Sequence, residues 1–194
     1  MKSSIASIDP GHSGGICIDG TTYPMPVTLI ETKPAVTVFA KNAKGQKQYY
    51  KSGPLAGQPK LKTKSPAKFS KELDTKSIFN LLATCHTLVI ELPGSTVGNA
   101  AKSSRTTHVN FGKILACAEL ADCKIVTVAP HKWKADLGLP ADKLPTIELV
   151  EALSGRSFRT PRGALLDGQA DSYAILVHHY QYTLKLDPPF TIKA

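Results

Sequence analysis

The chain has 194 residues, 42% of them hydrophobic, and a formal net charge of +9. That length and apolar content suit one globular domain with a proper core, and no apolar run reaches the 18 or so residues that a membrane span needs. The charge is uneven, because residues 32–71 hold ten lysines and no acidic residue while the remainder is close to neutral.

Cys17, Cys85, Cys117 and Cys123 lie in or beside apolar segments. Cys117 and Cys123 are six apart on a predicted helix, a spacing that argues against both a zinc site and a disulfide framework. No basic-then-apolar leader precedes the first strand. A reduced, cytoplasmic protein is expected, with no membrane partner.

Ile5 to Ile8 reads as a short buried strand that carries one carboxylate, Asp9, to its end. Pro10-Gly11 breaks the strand, and Gly14-Gly15 lets the chain double back into Ile16-Cys17-Ile18. A carboxylate under a tight glycine turn can hold a metal ion or orient a phosphate, although the same turn also serves as a simple hairpin device. Val27 to Ile30 and Ala35 to Ala40 are two further strands, so three or more antiparallel strands are expected at the N-terminus.

Asn42 to Lys71 is rich in Gly, Pro, Ser and Lys and reads as a long surface excursion, with one strand near Gln48 to Lys51. Lys41, Lys44, Lys47, Lys51, Lys60, Lys62 and Lys64 stand there with Tyr49, Tyr50 and Phe69. Such a stretch suits a polyanion, most simply the phosphate backbone of nucleic acid. The plainer alternative is a solvated loop that keeps the protein soluble.

Asp74 or Thr75 caps a helix bearing Ile78, Phe79, Leu81 and Leu82. Thr87 to Glu91 is then a second buried strand that ends in a carboxylate, followed by Pro93-Gly94. Buried acids at strand ends are costly unless something pairs them, and a divalent cation is the simplest partner. Gly94 to Asn110 reads as a mobile loop over the strand ends. A helix from about Asn110 to Ala121 and a strand from Lys124 to Val128 follow, at a spacing that predicts parallel pairing with the Glu91 strand. His131-Lys132-Trp133-Lys134 opens a short helix, Asp142 to Leu153 forms another, and Gly155 to Arg162 is a basic turn. Trp133 is read as a core residue, and His178 and His179 as structural.

The last helix is predicted over about Ala164 to Tyr182, with Asp167 and Asp171 one turn apart on one face. Two like charges at that spacing destabilise a bare helix by about a few tenths of a kcal/mol, so a cation between them makes sense of the pair. A solvated acidic patch is the alternative. Asp9, Glu91, Asp167 and Asp171 together offer hard oxygen ligands suited to Mg²⁺ or Mn²⁺. Two such ions, roughly 3.5–4 Å apart, would serve phosphodiester hydrolysis.

These motifs resemble the RuvC-like Holliday-junction resolvases of the RNase H-like superfamily, in the phage and organelle-type branch. The resemblance rests on Ile8-Asp9-Pro10-Gly11 with Gly14-Gly15, on Val89-Ile90-Glu91 and on Phe111-Gly112. Val128-Ala129-Pro130-His131-Lys132-Trp133-Lys134 and Asp167-Gly168-Gln169-Ala170-Asp171-Ser172 complete it. It implies an α/β, RNase H-like fold: a mixed five-stranded sheet with helices on both faces, in a single domain over residues 1–194 with a lysine-rich insertion at about 41–71. It further implies a homodimer that nicks two opposing strands of a four-way DNA junction. Asp9, Glu91, Asp167 and Asp171 carry over as ligands for Mg²⁺ or Mn²⁺, two ions per site, with Lys132 or Lys134 near the scissile phosphate or the junction backbone. The Ser95 to His108 loop and the helix after it would meet DNA, through Lys102, Arg105, His108, Phe111 and Lys113. Phe111 would face substrate or the dimer core.

The lysine-rich segment departs from this pattern, since many relatives have a much shorter one. The two final acids are four apart here, where better-known bacterial members place them three apart. Sugar-kinase-like ATPases share the opening Asp-x-Gly, but they need a second phosphate loop and a longer chain. A related nuclease acting on RNA or other branched DNA, and a non-catalytic junction-binding protein, remain as alternatives.

Overall fold

The computed structural model describes residues 3–94 and 101–191, except the side chains of residue 63 and of residues 101–104. In chain order the elements begin with strands β1 (Ser4–Asp9), β2 (Gly15–Ile18), β3 (Thr21–Pro24), β4 (Val27–Lys33), β5 (Val36–Phe39), β6 (Leu61–Ser65) and β7 (Lys68–Leu73). Helix α1 (Thr75–Leu82), strand β8 (Cys85–Glu91), helix α2 (Ala101–Leu120) and strand β9 (Lys124–Val128) follow. Helices α3 (Pro130–Asp136), α4 (Lys143–Ser154) and α5 (Asp167–His178) close the sequence of elements, and α5 runs on into a π-helical turn over His179–Leu184.

Two compact units emerge, one formed by residues 1–27 with 73–194 and the other by Thr28–Glu72. The first is built on a five-stranded sheet of order β3-β2-β1-β8-β9. β1 pairs antiparallel with β2 and parallel with β8, and β8 pairs parallel with β9, as the helical crossover between them predicts. Alternation along the strands decides which side chains meet which helices. Ala6, Ile8, Ile16, Leu88 and Ile90 face one side, where they pack with Ile78 and Leu82 of α1 and with Ile114, Cys117 and Ala118 of α2. Cys17 and Val89 face the other side and pack with Trp133, Ile147, Val150 and the apolar residues of α5. The expected fold class is therefore present: α/β, a mixed five-stranded sheet with helices on both faces. The cysteines are free thiols, three of them buried.

Several local expectations need correction. β4 and β5 are strands, but they lie outside the main sheet: β4 pairs with β7 and β5 with β6, in two-stranded ribbons of the second unit. Both partners come from the stretch expected to be an excursion, and the second unit spans Thr28–Glu72. Near Gln48 to Lys51 there are only isolated bridges, at Lys47 and Tyr49. Helix α2 starts at Ala101, not Asn110, because helix propagates cheaply through polar residues once nucleated and packed at its apolar end. Of the expected loop, residues 101–110 are therefore helical, and residues 95–100 lie outside the described residues. α5 starts at Asp167, since Arg159 and Leu165 are held in a bridge that keeps residues 164–166 out of the helix.

Asp74 caps α1 as predicted, its Oδ1 accepting from the Ser77 amide at 3.1 Å. Pro130 occupies the first turn of α3, where its missing N–H costs nothing. Among the described residues no helix is long and apolar enough to cross a membrane.

Candidate functional site

The site sits at the carboxyl edge of the main sheet. β1 and β8 are parallel neighbours with Ile8 opposite Ile90, so the next residue of each, Asp9 and Glu91, finish their strands side by side. Alternation turns both acids toward the face covered by α5, the side that carries Ser7 and Val89. The Ser7 hydroxyl donates to the Ser172 carbonyl of α5 at 2.5 Å and ties that helix to β1.

A seam of glycine backbone brings the start of α5 to the strand ends. Gly14 and Gly168 form a parallel bridge. A Cβ on Gly168 would lie 2.2 Å from the Ser13 carbonyl oxygen and 2.4 Å from the Gly14 Cα, and one on Gly14 would lie 2.1 Å from the Asp9 carbonyl oxygen. Only glycine permits that approach, which delivers Asp167 and Asp171 to the edge where Asp9 lies. Gly14 therefore does more than let the chain turn back.

The acids at this edge act on one another through their charge. Asp9 is pushed above its ordinary carboxylate range by burial, partly offset by the Gly11 amide, and is raised further by the charge of Asp167. Burial and the charge of Asp9 lift Glu91 to about 7. Asp171 rises to about 6, again by burial first and then by Asp9. These acids repel one another, as groups must when several carboxylates share a poorly solvated edge. As placed, no three His, Cys, Asp or Glu side chains among the described residues are grouped tightly enough to ligate one ion together. The donor chemistry still fits a hard divalent cation: the converging groups are carboxylates, and no thiol or imidazole stands among them.

Two partners of the acids were not foreseen. The buried Trp133 donates its indole N–H to the Glu91 carboxylate at 2.7 Å. Trp133 is thus the core residue expected, with a polar task added. Lys143, in the first turn of α4, forms an ion pair with Asp167 and lies within electrostatic reach of Asp171 and Asp9. Its ammonium is held in the charged form above its usual range, chiefly by the Asp167 hydrogen bond. A single lysine in a helix start carries no sequence signal of such a contact.

The other candidates separate. Lys134 exerts its charge on Asp9, Glu91 and Asp171 and lies 5.2 Å from the centre of the Trp133 ring. Lys132 instead pairs with Asp136 at 3.0 Å, and Asp136 also bonds the buried His178 at 2.7 Å. That network holds α3 to α5 and gives His178 the structural role expected of it. Phe111 is partly buried against the α1–α2 side of the core. Arg105 and His108 are exposed on α2 and Lys113 is half-buried there, while the Lys102 side chain lies outside the described residues. In the second unit, Lys41, Lys44, Lys47, Lys51, Lys62 and Lys64 are exposed and Lys60 is half-buried.

No protein-family model matches this chain, and no curated protein matches it in sequence. Among solved structures it is similar to RuvC of Thermus thermophilus at 16% identity, covering 97% of this chain and 98% of that one, with a TM-score of 0.46. It is also similar to T. thermophilus RuvC in complex with a Holliday junction substrate, at 13% identity, the same coverage of both chains and a TM-score of 0.45.

Proposed function

We propose that this chain is a metal-dependent endonuclease that resolves four-way DNA junctions by paired symmetric nicks, acting as a homodimer. The observation that supports the reading is that Asp9 and Glu91 end adjacent parallel strands, while the Gly14–Gly168 seam holds the start of α5, with Asp167 and Asp171, against that edge. Carboxylates driven toward protonation by burial and by one another are poor as a structural device and well suited to a divalent cation. Asp9, Glu91, Asp167 and Asp171 would hold Mg²⁺ or Mn²⁺, two ions per site. When bound, such ions activate water and neutralise the charge of a phosphodiester in hydrolysis.

The chain's own residues prepare that chemistry. The Trp133 indole fixes one oxygen of Glu91, leaving the other free to turn toward the shared edge. Lys134 brings a positive charge to the acids and is the lysine of the Pro130–Lys134 element best placed to meet a phosphate. Lys132, engaged with Asp136, serves the scaffold in this reading. Exposed Arg105 of α2 and the exposed lysines of residues 41–64 supply phosphate contacts.

The Lys143–Asp167 ion pair favours a second reading, a non-catalytic junction-binding protein, because a fixed ammonium then answers one of the acids in place of a metal ion. Cleavage of a synthetic four-way junction with Mg²⁺ or Mn²⁺, against linear duplex, flap and RNA–DNA hybrid, separates the readings. Symmetric nicks in the junction that vanish in Asp9→Asn and Asp171→Asn establish the resolvase. Cleavage of hybrid or flap keeps the carboxylate chemistry and moves the substrate. Tight junction binding with no cleavage under either ion establishes the second reading.

A further inference from the structure

Residues 28–72 form a small β unit without a core. None of its described side chains is buried. Nine of its large apolar residues are exposed, including Phe39 at 41%, Tyr49 at 51% and Tyr50 at 38%. Ribbons of two strands are marginal by themselves in water, and so many exposed large apolar side chains in one small unit point to something that covers them.

The charge says what that something is. The unit carries ten lysines against two acidic residues, Glu31 and Glu72. A second copy of the same surface would bring like charge against like and be repelled. A polyanion is attracted. The aromatic residues then distinguish among polyanions. The Lys47 ammonium lies 4.1 Å from the centre of the Phe39 ring, and that of Lys60 lies 5.3 Å from the centre of Tyr50, so ring and cation occur as a unit twice. Two concavities accompany them. One, of about 740 Å³, has Phe39 and Leu61 with Lys41 and Lys62 in its lining. The other, of about 550 Å³, is lined by Tyr49 and Tyr50 with Lys47 and Lys60 among others. Duplex DNA offers a protein its phosphates and groove edges and keeps its base faces stacked, so exposed rings would gain nothing from it. An unpaired strand offers a phosphate and a free base face at every nucleotide.

We propose that the Thr28–Glu72 unit binds unpaired nucleic acid, with bases stacked on Phe39, Tyr49 and Tyr50 and the backbone held by the lysines beside them. The inference goes beyond the junction-nuclease reading and does not rest on it, because no acid of the sheet edge takes part.

The test is fluorescence anisotropy of the full chain with labelled single-stranded oligothymidylate and with a duplex of equal length, in EDTA and at two salt concentrations. Base–aromatic stacking is worth about 1–3 kcal/mol per base, so Phe39→Ala and Tyr50→Ala should each weaken single-strand binding about ten-fold. Duplex binding and the salt slope should stay as in the wild type. Phe39→Tyr and Tyr50→Phe keep a ring and should keep single-strand affinity, which guards against misreading a damaged fold. Lys47→Gln with Lys60→Gln should instead flatten the salt slope for both ligands. Equal single-strand affinity with and without the rings would overturn the proposal. So would equal losses on single strand and duplex, or a ring requirement seen only for anionic lipid vesicles or for self-association in sedimentation. Because the EDTA assay measures no cleavage, failure here leaves the nuclease reading untouched, and failure of the cleavage assay leaves this one standing.

Discussion

The indole N–H of Trp133, wholly buried between the sheet and α5, donates to the carboxylate of Glu91 at 2.7 Å. This bond opposes the burial and the Asp9 charge that raise Glu91, so it keeps that acid closer to ionisation than its surroundings otherwise allow. Trp133→Phe should retain most of the packing and lose the bond. A hydrogen bond to a charged group contributes about 1.5–3 kcal/mol, which bounds the stability loss expected in a thermal or urea melt at neutral pH. The Glu91 titration should move to higher pH, and the rising limb of the cleavage pH–rate profile with it. An unshifted limb would show that Glu91 does not depend on the indole.

Burial and mutual repulsion leave Glu91 near 7 and Asp171 near 6, against ordinary values of 4.5 and 3.8. The folded protein therefore holds protons that the unfolded chain has already released. Stability contributed by these groups is present below the ordinary carboxylate range and is lost as pH rises toward about 7. Melts in EDTA should show a falling midpoint across that window, and Asp171→Asn should flatten the fall. Added Mg²⁺ or Mn²⁺ should raise the midpoint most above pH 7, where both acids are ionised. A metal-free midpoint that climbs over the same interval would contradict the raised carboxylates.

The glycine seam predicts a sharp contrast between two alanines. Gly168→Ala drives a methyl group into the Ser13 carbonyl and Gly14, backbone that cannot step aside without moving α5. Overpacking of that kind costs about 1–3 kcal/mol, and here the displacement would also separate Asp167 and Asp171 from Asp9. Gly112→Ala, within α2 and with open space at its Cβ, should be neutral or stabilise by up to about 1 kcal/mol. Equal behaviour of the two in melts and cleavage assays would mean that the seam does not position the acids.

Lysine-to-alanine changes at Lys41, Lys44, Lys62 and Lys64 should weaken junction binding and lower its salt slope by about 0.9 for each phosphate that is no longer neutralised. Metal-dependent chemistry should persist at raised protein concentration. A slope equal to that of the wild type after all four changes would place the phosphate-binding side chains elsewhere on the chain.

Much of the sheet edge was legible in the sequence because its signals are local. A short apolar run, an acid and a Pro-Gly break recur at Asp9 and Glu91, and a strand's period of two leaves little choice of face. The four-residue spacing of Asp167 and Asp171 is likewise a local fact, as is the Asp74 cap. What escaped depends on partners distant in sequence. Lys143 meets Asp167 from another helix, and Trp133 meets Glu91 across 42 residues. β4 and β5 read correctly as strands, yet no periodicity announces which sheet a strand joins. Their partners, β7 and β6, lay in lysine-rich sequence with too little apolar alternation to read as strands. The polar first half of α2 failed for the opposite reason, since a solvated helix needs no apolar stripe once its packed half has formed.

The Asp74 amide donates to the Pro26 carbonyl at 3.0 Å, so the chain returns to the main unit almost where it left. The intervening stretch is thereby a graft on a closed stem. Lengthening it, trimming it or exchanging it for a short Gly-Ser link would change the entropy of one loop, and such costs grow only slowly with length. Replacing the stretch would then test what it holds without testing whether the core folds.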